Sequence, residues 1–460
     1  MKEQSVYRRA MKLAVPIMIQ NGITNAVGLV DHIMVGSIGT EAMTAVSIVG
    51  QLFFVLYLAL FGGISGPGIY SAQYYGKGND EGVRRSFRMK VLIAGVVTAA
   101  GALILLFGRA FLVGLYLRGD SSEVDAVQTT AYAMQYLLIM LFGLPCMALT
   151  SVYAGTLRET NDSFKPMVAG IVSVLTDILL NYLLIYGKFG FPRLGVRGAA
   201  IATVAARVIE CSVLVIWTHA KIAAHPFLRG VWNSLRIPPE MRTEMLKKSI
   251  PIFCNECLWA AGIAALTQTY STRGIHFVSG LNISNALCNL LNVVFVALGS
   301  AVGILVGQLL GAGKYEQAKR DSASLTVFTG ILCTGLTVIL IALSGVFPRF
   351  YDTTATVRSA ATQFIIVTAI FFPAQGVLNA LYFTLRSGGK TLVTFLFDSV
   401  FSWAVSLPTA FLLCRFTSLP IIVIYTIVQS LDLIKISVGI ILIRKGVWIS
   451  NIAERIETGS

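Results

Sequence analysis

The chain has 460 residues, of which 55% are hydrophobic and 13% charged, with a mean hydropathy of +0.75; a soluble globule carries about 25% charged residues. Such a composition excludes an ordinary water-soluble domain. The formal net charge of +14 raises nucleic acid as a partner, but the basic residues sit in alternate polar loops, about 25 on one side and about 9 on the other. That asymmetry is the positive-inside signature of a membrane protein and requires no nucleic acid.

In chain order, twelve apolar runs are long enough to cross a bilayer: 13–35, 45–69, 91–117, 129–150, 167–186, 198–218, 249–270, 282–305, 324–346, 359–381, 393–414 and 419–442. Their continuous apolarity predicts helices, since barrel strands would alternate. The first run carries Asp31 and exceeds the apolar core of a cleavable signal. Basic clusters at Lys2, Arg8, Arg9 and Lys12, at 77–90, at 229–248, at 314–320 and at Arg444 and Lys445 place both termini in the cytoplasm. The expected fold is an all-α membrane protein of twelve transmembrane helices. The expected domains are an amino-terminal six-helix lobe at 1–220, a cytoplasmic linker at 221–248 and a carboxy-terminal six-helix lobe at 249–460. Within the linker, the mix of Arg229, Trp232 and Leu228 predicts an amphipathic piece lying on the membrane. Pro238 and Pro239 predict a break.

The two halves repeat one another. Pro16, Ile17, Ala26, Gly39, Ser65, Gly68, Ile69, Gln73, Gly76 and Gly78 recur, at a constant offset, as Pro251, Ile252, Ala261, Gly274, Ser300, Gly303, Ile304, Gln308, Gly311 and Gly313. Half-chain repeats of this kind build transporters. Six spans per half give the copies one orientation, so two lobes related by a pseudo-two-fold axis along the membrane normal are expected. The glycine-rich second span of each half, at 61–68 and 299–303, permits close helix approach and local unwinding.

Ionisable residues inside a span cost several kcal/mol unless paired or hydrated, so each is a functional candidate. Asp31 lies about 27 Å along its helix from Leu13 at 1.5 Å per residue, toward the outer part of the bilayer. Asp177 and Asn181 share one face of the fifth span, and Thr203 and Arg207 have the same spacing on the sixth. Arg207 requires an anion, with Asp177, Asp31 and Glu210 as candidates. Asp31, Asp177, Asn181 and Thr203 together offer carboxylate, amide and hydroxyl oxygens. That set suits a hard cation such as Na⁺, and a carboxylate so buried is equally suited to binding and releasing a proton. In the second half, Glu256 lacks a local partner and is a candidate for cation or substrate binding. Asp432 and Lys435, three apart, are expected to pair structurally on one helix face. At the repeat offset Asp31 corresponds to Leu266, so the halves keep a scaffold and differ in their charges. Cys254 and Cys257 lie in one apolar run without His partners, which gives no metal centre. Tyr136, Gln375 and Asn379 are candidates for lining a substrate cavity.

The ordered set Pro16, Asp31-x3-Val35-Gly36-x2-Gly39, Gln73-x2-Gly76-x-Gly78, Gly143-x-Pro145, Asn181-Tyr182, Gly187 and Gly198 to Thr203 resembles the MATE (multidrug and toxic compound extrusion) transporters. The second half adds Pro251, Glu256, Gln308-x2-Gly311-x-Gly313 and the segment 385–391. The resemblance spans essentially the whole chain. It implies a V-shaped pair of six-helix lobes in a bacterial cytoplasmic membrane. It also implies a secondary antiporter exporting organic cations, drugs or metabolites in exchange for H⁺ or Na⁺, not an enzyme. No cofactor is implied beyond the coupling ion, and a monomer surrounded by membrane lipids is expected. The implied cation site falls on Asp31, Asp177, Asn181 and Thr203. The family's order on the fifth helix is Asn then Asp, whereas here Asp177 precedes Asn181. The NorM-type branch also has an acid in the tenth span, where this chain has Ala374, Gln375 and Asn379. A lipid-linked oligosaccharide flippase of the wider superfamily would be expected to carry several cavity cations, and few intramembrane cations occur here. A membrane-embedded enzyme would require a catalytic cluster, and ATP-driven transport a phosphate-binding loop; the sequence has neither.

Overall fold

The computed structural model describes residues 5–117 and 125–458. Lys2 lies outside the described residues. Among them there is no strand, and twelve helices are long and apolar enough to cross a membrane. These are α1 (Val6–Gly36), α2 (Thr40–Lys77), α3 (Asp80–Leu117), α4 (Ala126–Glu159), α5 (Phe164–Tyr186), α6 (Val196–Ala220) and α7 (Pro239–Ser271). They continue with α8 (His276–Gly311), α9 (Tyr315–Ser344), α10 (Ala355–Ser387), α11 (Thr391–Phe416) and α12 (Ile421–Arg444). A short α13 (Ile452–Thr458) follows.

Several helices outrun the apolar runs that announce them. With 38 residues, α2 extends about 57 Å at 1.5 Å per residue. Hydropathy marks the hydrocarbon core, and the helix continues into its polar ends. The glycine-rich stretch of α2 stays helical, with Pro67 inside it, so the local unwinding permitted by its composition is not used there. Irregularities fall elsewhere: α4 tightens into a 3₁₀ turn at Leu141–Gly143, and two more lie in the second half. In α11 the backbone widens into π-helical turns at Leu396–Val400 and Ser402–Ser406, and α12 is interrupted at Leu431, between Ile421–Ser430 and Asp432–Arg444.

The chain groups into two compact units. One comprises Ile19–Ser71 and Asp80–Thr243; the other comprises the chain up to Met18, Ala72–Asn79 and Glu244–Ser460. In the first unit an apolar cluster joins Met34 and Val35 of α1 to Val49 of α2, Val113 of α3, Leu137 and Leu144 of α4, Ile185 of α5 and Ala200 of α6. In the second, Ala10, Leu13 and Ile17 pack with Leu298, Val302, Leu310 and Trp448.

The duplicated Gln-x2-Gly-x-Gly ends meet inside this second unit. A Cβ on Gly76 would lie 1.9 Å from the Gln308 carbonyl oxygen, and one on Gly311 would lie 1.9 Å from that of Gln73. The helices therefore touch backbone to backbone, which only glycine allows. The terminal Gly78 and Gly313 take φ of +77° and +71° and close the two helices alike. The buried Gln73 amide donates to the Ser387 and Ser450 carbonyls at 3.0 and 3.1 Å, and its Oε1 accepts from the backbone N–H of Ile452 and Ala453 at 2.9 and 3.2 Å. It thus caps α13. Gly311→Ala is expected to cost about 3 kcal/mol by overpacking. Gly335→Ala in α9, where nothing lies within 4 Å, should leave thermal unfolding unchanged. Equal melting temperatures for the two variants would contradict the close crossing.

The connection between the halves, expected as an amphipathic piece, is not a continuous helix. It makes two short 3₁₀ turns, Ile222–Ala224 and Pro226–Leu228, with Phe227, Leu228 and Val231 buried. Arg84 donates to the Phe227 carbonyl at 3.1 Å, and Arg88 to those of Gly230 and Val231 at 2.9 Å. Phe87 contacts Phe227 and Trp232 at centroid distances of 6.4 and 6.0 Å. Pro226 and Gly230 prevent one long helix, and the arginines on α3 satisfy the backbone acceptors left free. Pro239 opens α7, a position where its missing N–H costs nothing. His225 lies 2.8 Å from Lys165 Nζ and 3.5 Å from Asp162. Burial, and then the Lys165 ammonium, push its imidazole down from the ordinary histidine range.

Candidate functional site

Asp31 is held at the far end of α1 by contacts to α5. Asn181 Nδ2 donates to Asp31 Oδ1 at 2.9 Å. Further along, Tyr186 donates to the Met34 carbonyl at 3.4 Å and receives Ser37 Oγ at 3.1 Å. Nearer the start of α1, Arg158 Nη2 donates to Gln20 Oε1 at 2.6 Å. Asp177, one turn before Asn181, brings its carboxyl against that of Asp31, with Thr203 of α6 beside it. The Tyr136 hydroxyl of α4 adjoins Thr203. Four of the helices in this unit thus converge on two carboxyls, an amide and two hydroxyls.

Asp177 and Asn181 are 7% and 1% exposed. Asp177 Oδ1 and Asn181 Oδ1 are buried without a hydrogen-bond donor. Thr203 Oγ1 donates its proton to the Ala199 carbonyl at 3.1 Å, which leaves its lone pairs available. Buried acceptors without donors are costly, and two facing carboxylates repel strongly in a medium of low dielectric. A proton or a hard cation relieves both. Arg207 acts on both carboxyls only through space; its partner at bonding distance is Glu210 on its own helix, at 3.1 Å.

The second unit gathers a different set. Asn255 donates to Asp398 Oδ2 at 3.2 Å and to the Tyr382 hydroxyl at 3.4 Å. Ser399 Oγ donates to Asn255 Oδ1 at 2.7 Å. Lys435 lies 3.2 Å from Asp432 Oδ1, the pairing expected from their spacing, and 3.5 Å from Asp398 Oδ1. Gln375 donates to the other oxygen of Asp432. Glu256, half-buried, is influenced by Arg386 and Asp398 through space. Asn379 packs elsewhere, its Oδ1 1.9 Å from where a Gly299 Cβ would stand. Leu266, at the repeat position of Asp31, packs against the cluster of Tyr270, Phe364 and Tyr425.

The MatE family model matches this chain twice, over residues 16–183 and 251–412. The protein belongs to the MatE family. The two matches begin at Pro16 and Pro251, the residues that open the internal repeat. A Bacillus subtilis protein named probable multidrug resistance protein YoeA is 27% identical over 91% of this chain and 89% of its own length. A Thermotoga maritima protein named probable multidrug resistance protein NorM is 22% identical, covering 90% and 87%. Among solved structures, an outward-facing multidrug resistance MATE transporter superposes with a TM-score of 0.85 at 17% identity, over 96% of each chain. A MATE protein in complex with MaL6 gives 0.83 at 15%, over 99% and 98%. At such identities the superpositions establish the shared fold.

For this MatE protein the structure brings Asp31, Asp177, Asn181, Thr203 and Tyr136 together, and places Gln375 on Asp432. Asp398 accepts from Asn255 as well as lying against Lys435, and Asn255 is far less conspicuous in the sequence than Glu256. An uncharged amide in an apolar run gives only a weak signal, although it must hydrogen-bond when buried.

Proposed function

We propose that the protein is a secondary active antiporter of a bacterial cytoplasmic membrane, exporting organic cations, drugs or related metabolites in exchange for H⁺ or Na⁺ by alternating access. The reading rests on one observation above the others: the facing carboxyls of Asp31 and Asp177, with unpartnered acceptor oxygens on Asp177 and Asn181. Four hard oxygen donors suit Na⁺, and a shared carboxyl pair suits H⁺. Family membership and the names of the relatives support the substrate class. In proteoliposomes, an imposed Na⁺ or proton gradient should drive uptake or release of a fluorescent organic cation, and the cation's movement should carry the ion the other way. Absence of any exchange by protein that is correctly inserted would overturn the proposal.

The proposed organisation keeps lobes at 1–220 and 249–460 joined by 221–248, with the protein acting as a monomer. Topology is open to a separate test. The Lys and Arg asymmetry puts both termini, Gly78 and Gly313 in the cytoplasm, and Gly39 and Gly274 outside. A cysteine at position 39 should react with an impermeant reagent applied to intact cells, and one at 78 should not. The opposite pattern would invert the topology.

A further inference from the structure

Lys435 is more enclosed than a structural pair with Asp432 requires. Its side chain is 7% exposed. The ammonium meets Asp432 Oδ1 at 3.2 Å, Asp398 Oδ1 at 3.5 Å and Ser402 Oγ at 3.2 Å, and lies 5.4 Å from the centroid of the Phe401 ring. An ammonium has three N–H groups, and three oxygens receive them, with an aromatic face alongside. Both carboxylates are steadied from behind, Asp398 by Asn255 and Asp432 by Gln375. Two carboxylates thus surround one ammonium, one more than the pair three residues apart on α12 accounts for.

The backbone supplies a second, independent observation. Asp398 lies in one π-helical segment of α11 and Ser402 opens the next, while the break in α12 at Leu431 falls immediately before Asp432. The backbone at Leu431 stays right-handed helical, so α12 is bent and not unwound there; π-helical turns such as those of α11 recur at functional sites.

We propose that Asp398, Asp432, Ser402 and Phe401 form an ammonium-recognition site, occupied by the Lys435 side chain as a tethered ligand that the amine or quaternary ammonium of a transported cation displaces. The displacement rests on the reading of the protein as an organic-cation exporter; the ammonium selectivity of the site does not. A tethered ligand competes at an effective concentration on the order of millimolar, so Lys435 sets a threshold that a substrate must exceed.

Lys435→Ala removes the equivalent of n-propylammonium. The purified variant should be thermally stabilised by n-propylammonium, saturably and with an apparent affinity at least about tenfold above any response of the wild type. Propanol and Na⁺ at matched ionic strength should not substitute. Asp398→Asn in the Lys435→Ala background should abolish the response. A response shared with the wild type, matched by propanol, or surviving Asp398→Asn would overturn the site. If Lys435→Ala does not fold, Lys435→Met keeps the packing and removes only the terminal NH3⁺, and ammonium ion then serves as the probe under the same criteria. Transport separates the two claims. In proteoliposomes Lys435→Met should lower the KM for a quaternary ammonium dye about tenfold. A thermal response without a KM change would leave the ammonium site intact and overturn displacement by substrate. Absence of dye transport in the wild type as well would count against the exporter reading alone.

Discussion

Asp31→Asn is expected to leave the protein folded and to reduce export at least about 100-fold, equivalent to about 2.7 kcal/mol in the coupled step. The carboxyl of Asp31 faces Asp177 and accepts from Asn181 at 2.9 Å. An asparagine has the same shape, and its Oδ1 still accepts that bond, so the packing of α1 on α5 survives. What disappears is the capacity to hold a proton or to contribute negative charge to a cation. Efflux of a fluorescent cation from cells, read beside the thermal unfolding of the purified variant, distinguishes the cases. Wild-type export by a well-expressed Asp31→Asn would remove Asp31 from the mechanism. Loss of export together with loss of folding would make it a structural residue.

The membrane fold was legible because hydrocarbon imposes strict rules on sequence. A span must be apolar for about 20 residues, and a charge placed inside one stands out. That is why Asp31, Asp177 and Asn181 could be singled out, and why the i to i+4 spacing on α5 correctly placed Asp177 and Asn181 on one face. The repeat was legible through residues whose role is steric. Gly76 and Gly311 recur because each backbone touches the other copy's glutamine at a distance no Cβ tolerates.

Other features left no local mark. The docked linker is held by Arg84 and Arg88 through backbone carbonyls, and a carbonyl acceptor has no side-chain signature. The same two arginines belong to a basic cluster that, in the sequence, reads as a topology signal. Lys435 advertises Asp432 three residues away, yet its contact with Asp398 crosses from α12 to α11, where no periodicity connects the residues. The π-helical turns of α11 leave no compositional trace either. Arg207 illustrates the limit of counting candidates: three acids were available by charge, and geometry chose Glu210.

That choice sharpens the expectation for the inverted order on α5. Arg207 bonds Glu210 and reaches the Asp177 carboxyl only through space, so replacing Asp177 breaks no ion pair at bonding distance and removes a like-charge contact with Asp31. Asp177→Asn should therefore retain or slightly raise thermal stability, by about 1 kcal/mol from relieved repulsion, while ion-dependent transport falls by about two orders of magnitude. Asn181→Ala should do the reverse. It deletes a hydrogen bond to a carboxylate, worth about 1.5–3 kcal/mol, so stability falls while the carboxyl pair and some coupling remain. The exchanged double variant, Asp177→Asn with Asn181→Asp, moves the charge one turn, about 5.4 Å. It keeps two carboxyls and one amide, and should recover part of the activity that Asp177→Asn loses. Unfolding temperature and Na⁺- or H⁺-driven transport, measured on these three variants and the wild type, test the crossed pattern. A destabilised Asp177→Asn whose folded fraction couples normally would assign Asp177 to structure and leave Asp31 to carry the ion alone.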